Sequence, residues 1–194
     1  AKPILLFFTS DDCTNCTKAE GAIQANKLLS TLLAKQYVAI KLNAYKDEGY
    51  KEARTYKVTE TPAFLFLDNT GRKLAGPVAA ANLAQYAELA LRLNEYKKVI
   101  LQNPTDLDTK RRYSLLLERY FRSVPNADSM ALSYLEQIPE STAKDTAHAE
   151  AIFELAPLLL KQLDVNSKAN TYLLKYKECY AIRFGRSETD VRLI

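Results

Sequence analysis

Ile4-Leu5-Leu6-Phe7-Phe8-Thr9-Ser10-Asp11-Asp12-Cys13-Thr14-Asn15-Cys16 is the stretch on which the fold turns. Residues 4–8 are continuously apolar and of strand length, which predicts a central strand covered on both faces. Residues 9–12 supply turn and helix-capping side chains. A helical pattern then runs from 13 to 33, with Ala19, Ile23, Leu28, Leu29 and Leu32 near helical spacing. Two cysteines three positions apart therefore open a helix directly after a buried strand.

Working outward, residues 38–42 read as a second strand and 46–56 as a short polar helix. Residues 63–67 read as a third strand. Asp68-Asn69-Thr70-Gly71 is a hairpin-type loop leading to an edge strand at 72–74. Residues 82–102 form an amphipathic helix closed by Asn103-Pro104. The order β-α-β-α-β-β-α predicts an α/β domain with a four-stranded mixed sheet. Alternation with helices calls for three parallel strands, and the tight loop makes the fourth antiparallel.

The first domain is expected to span 1–103. From 104 to 194 the pattern is helical throughout and predicts a small all-α domain, with helices near 106–124, 127–138, 142–163 and 168–184. Pro157 should kink or split the third of these. No fixed repeat is evident. The 194 residues are 47% apolar and 26% charged, with a formal net charge of +4. That charge forms no basic stripe, which argues against a nucleic-acid or membrane-surface partner. No apolar run reaches membrane-spanning length. The start at Ala1 rather than Met is read as a trimmed N-terminus.

A cysteine pair at i and i+3 can be half of a zinc site, can form a redox disulfide, or can be incidental. Zinc needs four ligands, and the chain offers only Cys179 and the single histidine, His148, in addition. No metal or other cofactor is expected. The helix N-terminus favours the redox reading, because unpaired backbone N–H groups and the helix dipole stabilise a thiolate. Cys13, coming first, is expected to be the nucleophile. Cys16, one turn deeper, is expected to resolve the mixed disulfide.

Four segments resemble the thioredoxin family, in the form seen in thioredoxin-like C-terminal domains of bacterial thiol:disulfide interchange proteins. They are 2–8, 13–18, 41–43 and 61–71. The resemblance covers residues 2–101 and implies a thioredoxin fold whose Thr61-Pro62 bond is cis and faces the dithiol. It implies that Thr61 offers backbone groups to an extended substrate, with Asp12 and Thr14 on the same rim. It further implies a protein or peptide disulfide as substrate, a protein electron donor, and an exported, periplasmic-type setting in a bacterium.

Departures from the family bear on the strength of this reading. Asp12 replaces the usual tryptophan before the first cysteine, and Phe7 replaces the buried aspartate of many members. Asp12 is read as the helix N-cap and as a modulator of the thiol. Asp11 and Asp12 oppose thiolate formation, with Lys18 and Lys41 as candidate offsets. With Thr14-Asn15 between the cysteines, and no histidine there, a reducing centre is expected. The alternative is a redox-inactive binding or scaffold protein that uses the Thr61-Pro62 groove or the helical domain. Elsewhere, Cys179 is read as a buried small hydrophobe and the Tyr172, Tyr176, Tyr180 stripe as helix packing. Lys110-Arg111-Arg112 is read as a solvated helix face, and His148 is given no role.

Overall fold

The computed structural model describes residues 2–121, 127–155 and 168–185. Among these, the residues up to Glu95 make one compact unit and those from Tyr96 onward a second.

The apolar run extends by one residue to form β1 (Ile4–Thr9). It lies inside a four-stranded sheet of order β2-β1-β3-β4, with β2 at Val38–Asn43, β3 at Ala63–Leu67 and β4 at Lys73–Val78. Because side chains alternate across the sheet, β1 and β3 each feed two apolar layers. Leu6, Phe8, Ala63, Leu65 and Leu67 pack with Ala44 and Ala53 on one face. On the other face, Phe7 stacks on Phe64 with ring centroids 4.5 Å apart, and Tyr37 meets Phe66 edge-on. The Tyr37 hydroxyl donates to the Ala87 carbonyl at 2.5 Å. Burial pushes that phenol above its ordinary pKa.

Three expectations are corrected by this unit. First, β1 and β2 are parallel, but β3 runs antiparallel to β1. The helix between β2 and β3, α3 (Asp47–Thr55), has only nine residues. The chain leaves β2 beside Thr9 and re-enters β3 opposite Phe8, at the same end of the sheet. Such a link is not a crossover, so the parallel rule does not apply to it. Second, the helical stretch 13–33 is two helices, α1 (Thr14–Ala25) and α2 (Lys27–Gln36). Asn26 between them is extended, and its side-chain oxygen accepts from Leu29 N at 3.0 Å. Substituting Asn26→Ala is expected to cost about 1 kcal/mol, as for a typical N-cap; chemical denaturation would measure it.

Third, β4 is longer than 72–74 and contains a second cis bond, Gly76-Pro77. The other edge strand, β2, is largely exposed. Gly76 has φ +109°, and a Cβ there would lie 2.5 Å from the Phe64 carbonyl oxygen, so glycine is required. The loop 68–71 does reverse the chain as expected, and β3 and β4 pair antiparallel. Asp68 Oδ1 organises it by accepting from Thr70 N and Arg72 N. The helix predicted at 82–102 is α4 (Leu83–Gln102).

The second unit is helical among its described residues. Asp106 caps α5 (Leu107–Tyr120) by accepting from Thr109 N at 3.0 Å. That bond holds the Asp106 carboxyl below its ordinary pKa. The expected helix to residue 124 ends earlier, at Tyr120. α6 (Ala127–Gln137) and α7 (Thr146–Leu155) follow, and then α8 (Lys168–Lys175) and α9 (Lys177–Phe184), divided at Tyr176. The kink at Pro157 and the stretch 156–163 fall outside the described residues. Leu115, Tyr134, Leu135, Ile152, Leu173 and Tyr180 are among the core residues. Tyr172 and Tyr180 donate to the carbonyls of Ile138 and Ala143, and Tyr176 to Glu140, so the tyrosine stripe packs as expected. Arg111 and Arg112 both bind Asp108, and the Arg111 side chain is largely covered rather than solvated. Cys179 is exposed, not buried. Its neighbours Tyr180 and Ala181 take the inward face of α9 instead.

Candidate functional site

The site is built at the end of the sheet where β1 stops. β1 delivers Thr9 next to Asn43 of β2, and the Ala44 N–H closes on the Thr9 carbonyl at 2.8 Å. The loop 10–12 then leads into α1. Cys13 itself is the N-cap of that helix: its Sγ accepts from Cys16 N at 3.0 Å. Its carbonyl accepts from Thr17 N at 3.2 Å. Asp12 is therefore not the cap, contrary to expectation. Its side chain is exposed, and only its carbonyl joins the turn, accepting from Thr14 N. A sulfur can act as cap here because the residue that begins the helix is also the first cysteine.

Cys13 and Cys16 are joined as a disulfide, with Cα atoms 5.2 Å apart. Cys13 is half-buried, and Cys16 is only 3% exposed. The pair thus has an outer and an inner sulfur. No acidic side chain lies in the first turn of α1, which leaves the positive end of its dipole unopposed by the helix itself.

Two adjoining hollows flank the pair. One is lined by Asp11, Asp12, Cys13, Thr14, Thr17 and Lys18. The other lies between Asn15, Lys18 and Ala19 of α1 and the segment Glu60-Thr61-Pro62. Lys18 borders both. The Thr61-Pro62 bond is cis, and Thr61 Oγ1 lies 3.0 Å from Ser10 Oγ. The antiparallel entry of β3 brings this segment to the dithiol end. The structure thus gathers Cys13, Cys16, Asp12, Thr14, Thr61 and Pro62 in one region.

Lys41 does not offset the loop acids. It pairs with Glu20 at 2.5 Å and lies over the Phe7 ring. That place is taken by Lys46, which the sequence pattern shows only as a helix start. Lys46 Nζ is 2.5 Å from Asp11 Oδ2, and Asn43 Nδ2 donates to Asp11 Oδ1 at 2.7 Å. The Lys46 contact holds the Asp11 carboxyl below its ordinary pKa and raises that of Lys46 in turn. Ser10, Asn43 and Lys46 are the site residues that sequence reasoning missed. Only Asn43 carried a signal, since it belongs to the 41–43 segment.

Among the described residues, no three histidine, cysteine, aspartate or glutamate side chains converge as a metal-ligand set. No described helix is long and apolar enough to cross a membrane. His148 meets the Tyr134 hydroxyl through Nδ1 at 2.9 Å within the helical unit.

Residues 1–91 match the sequence profile of the thioredoxin-like domain family. Among solved structures, the chain is similar to a thioredoxin from Thermus thermophilus, determined in solution. The identity is 21% and the TM-score 0.40, over 48% of this chain and 76% of that one. Among curated proteins nothing matches.

Proposed function

We propose that the chain, whose residues 1–91 match the thioredoxin-like domain profile, is a thiol-disulfide oxidoreductase that reduces disulfides in proteins or peptides through Cys13 and Cys16. One observation carries this reading: an outer sulfur caps α1 while its partner, one turn on, is 3% exposed. In the reduced protein the Cys13 thiolate attacks one sulfur of the substrate disulfide. That bond breaks, a mixed disulfide forms, and the departing substrate sulfur takes up a proton. Cys16 then loses its proton and attacks Cys13 Sγ, which closes the Cys13–Cys16 bond and releases the second substrate thiol. Two electrons and two protons pass to the substrate. A dithiol electron-donor protein restores the reduced pair by the same exchange in reverse.

The cis Thr61-Pro62 segment supplies the second wall. Thr61, held by Ser10, offers backbone groups to an extended substrate chain, and Asp12 and Thr14 form the rim that it meets. An exported, periplasmic-type setting in a bacterium suits such a substrate.

The Phe7–Phe64 stack favours one further reading. It fills with hydrocarbon a position where a carboxylate would accept protons during resolution, which suits a binding protein that uses the groove without turnover. Thiol titration of the native and reduced protein, followed by an insulin-reduction assay, separates the two. The expected result is two protected thiols that appear on reduction and activity that falls to background in Cys13→Ser. A pair inert to both reduction and oxidation, or full activity in Cys13→Ser, sinks the oxidoreductase reading.

A further inference from the structure

The loop before Cys13 carries two acids where a thiolate must form. Asp11 and Asp12 line the same hollow as Cys13, and Lys18 is the cation on that wall. Asp11 is distinguished by having both carboxylate oxygens engaged. Asn43 Nδ2 holds one at 2.7 Å and Lys46 Nζ the other at 2.5 Å. Asn43 is itself fixed: it ends β2 beside Thr9, and its Oδ1 accepts from Tyr45 N at 3.0 Å. One turn, 43–46, therefore grips the acid two residues ahead of the nucleophile.

For stability this grip means little. Both side chains of the ion pair are more than half exposed, and such pairs contribute little to folding. Its effect on a neighbouring charge is another matter. Unit charges several ångströms apart in water interact by about RT, enough to change an acid dissociation constant about threefold. We propose that Lys46 is a positioning residue that sets the acidity of Cys13 through Asp11, and thereby the reducing poise of the dithiol. This rests on the oxidoreductase reading above. With Lys46 in place the Asp11 charge is compensated; without it, only the neutral Asn43 amide still binds that carboxylate, and its charge adds to that of Asp12 beside Cys13.

Reduced protein in a Cys179→Ser background tests it, since Cys179 is exposed and would otherwise react. The rate of Cys13 alkylation by iodoacetamide is followed against pH. In Lys46→Met the midpoint should rise, corresponding to an acid dissociation constant about threefold lower. In Asp11→Asn, which leaves Lys46 uncompensated, it should fall by a comparable factor. The double variant should return close to the parent. Equilibration with glutathione follows: Lys46→Met should favour the disulfide by up to about threefold, or about 14 mV more reducing on the two-electron scale. Asp11→Asn should shift the other way. A merely structural latch is broken by either single change, so shifts of the same sign, or none, overturn the proposal. Failure of the parent protein to exchange with glutathione instead overturns the oxidoreductase reading, while the alkylation profiles still decide the role of Lys46.

Discussion

Replacing Cys16 with serine is expected to halt turnover while leaving the first chemical step intact. Cys13 caps α1 through its sulfur and is the more accessible of the two, whereas Cys16 is 3% exposed on the inner side. Attack on a substrate disulfide requires only the outer thiolate, but release requires the inner thiol. In Cys16→Ser the mixed disulfide therefore forms and persists. Turnover in insulin reduction should fall by at least about three orders of magnitude, because residues acting as one unit lose nearly all activity together. The same variant, in a Cys179→Ser background that removes the exposed third thiol, should accumulate a covalent adduct with oxidised protein substrates that dithiothreitol releases. Cys13→Ser in that background should form none. If the adduct forms on Cys13→Ser and not on Cys16→Ser, the roles are reversed. The outer position of Cys13 would then have been misread as reactivity.

The cysteine pair and its strand were legible because both signals are local. Five apolar residues in a row can only be a fully covered strand or a buried helix segment, and Ser10-Asp11-Asp12 after them argues for a turn. The loop 68–71 was equally local, since Asp68 and Gly71 make it within four residues. What escaped depends on contacts distant in sequence or on chain geometry. The direction of β3 depends on where α3 leaves the chain, not on any residue within β3. The break at Asn26 is a capping event inside an apolar pattern that continues through it. The pattern points to Asp12 as the cap of α1 because aspartate is the commoner cap, and nothing in the order Asp12-Cys13 ranks the sulfur first. Lys46 and Asp11 stand 35 positions apart, and a lysine at a helix start has no pattern that names its partner. Cys179 faces outward because its neighbours Tyr180 and Ala181 take the inward face of α9, and a lone cysteine beside them carries no signal of which side it takes.

Gly49→Ala shows most sharply how far local propensity and packing diverge at this site. Gly49 lies inside α3, and helix propensity alone predicts a gain of up to about 1 kcal/mol for alanine there. The structure predicts a loss. A Cβ on Gly49 would lie 2.1 Å from the Asn43 carbonyl oxygen and 2.8 Å from its carbon. Both are backbone atoms at the end of β2, so no side chain can swing away to make room. Either α3 moves off the sheet or the end of β2 is displaced. Overpacking of this kind typically costs about 1–3 kcal/mol, and contact with the fixed Asn43 backbone places the expected value at about 3 kcal/mol. Gly21→Ala in α1 is the matched control: no atom lies within 4 Å of its Cβ position, so the propensity gain should appear undiminished. Hydrogen exchange of the β1 and β3 amides reports this unit alone and should show protection lowered in Gly49→Ala and maintained or raised in Gly21→Ala. Asn43 also donates to Asp11, so Gly49→Ala should loosen the grip on the loop before Cys13 and shift its alkylation profile without touching a sulfur. Unchanged protection in Gly49→Ala would mean that α3 and β2 do not approach as closely as this packing requires, and the coupling between helix and site would fall with it.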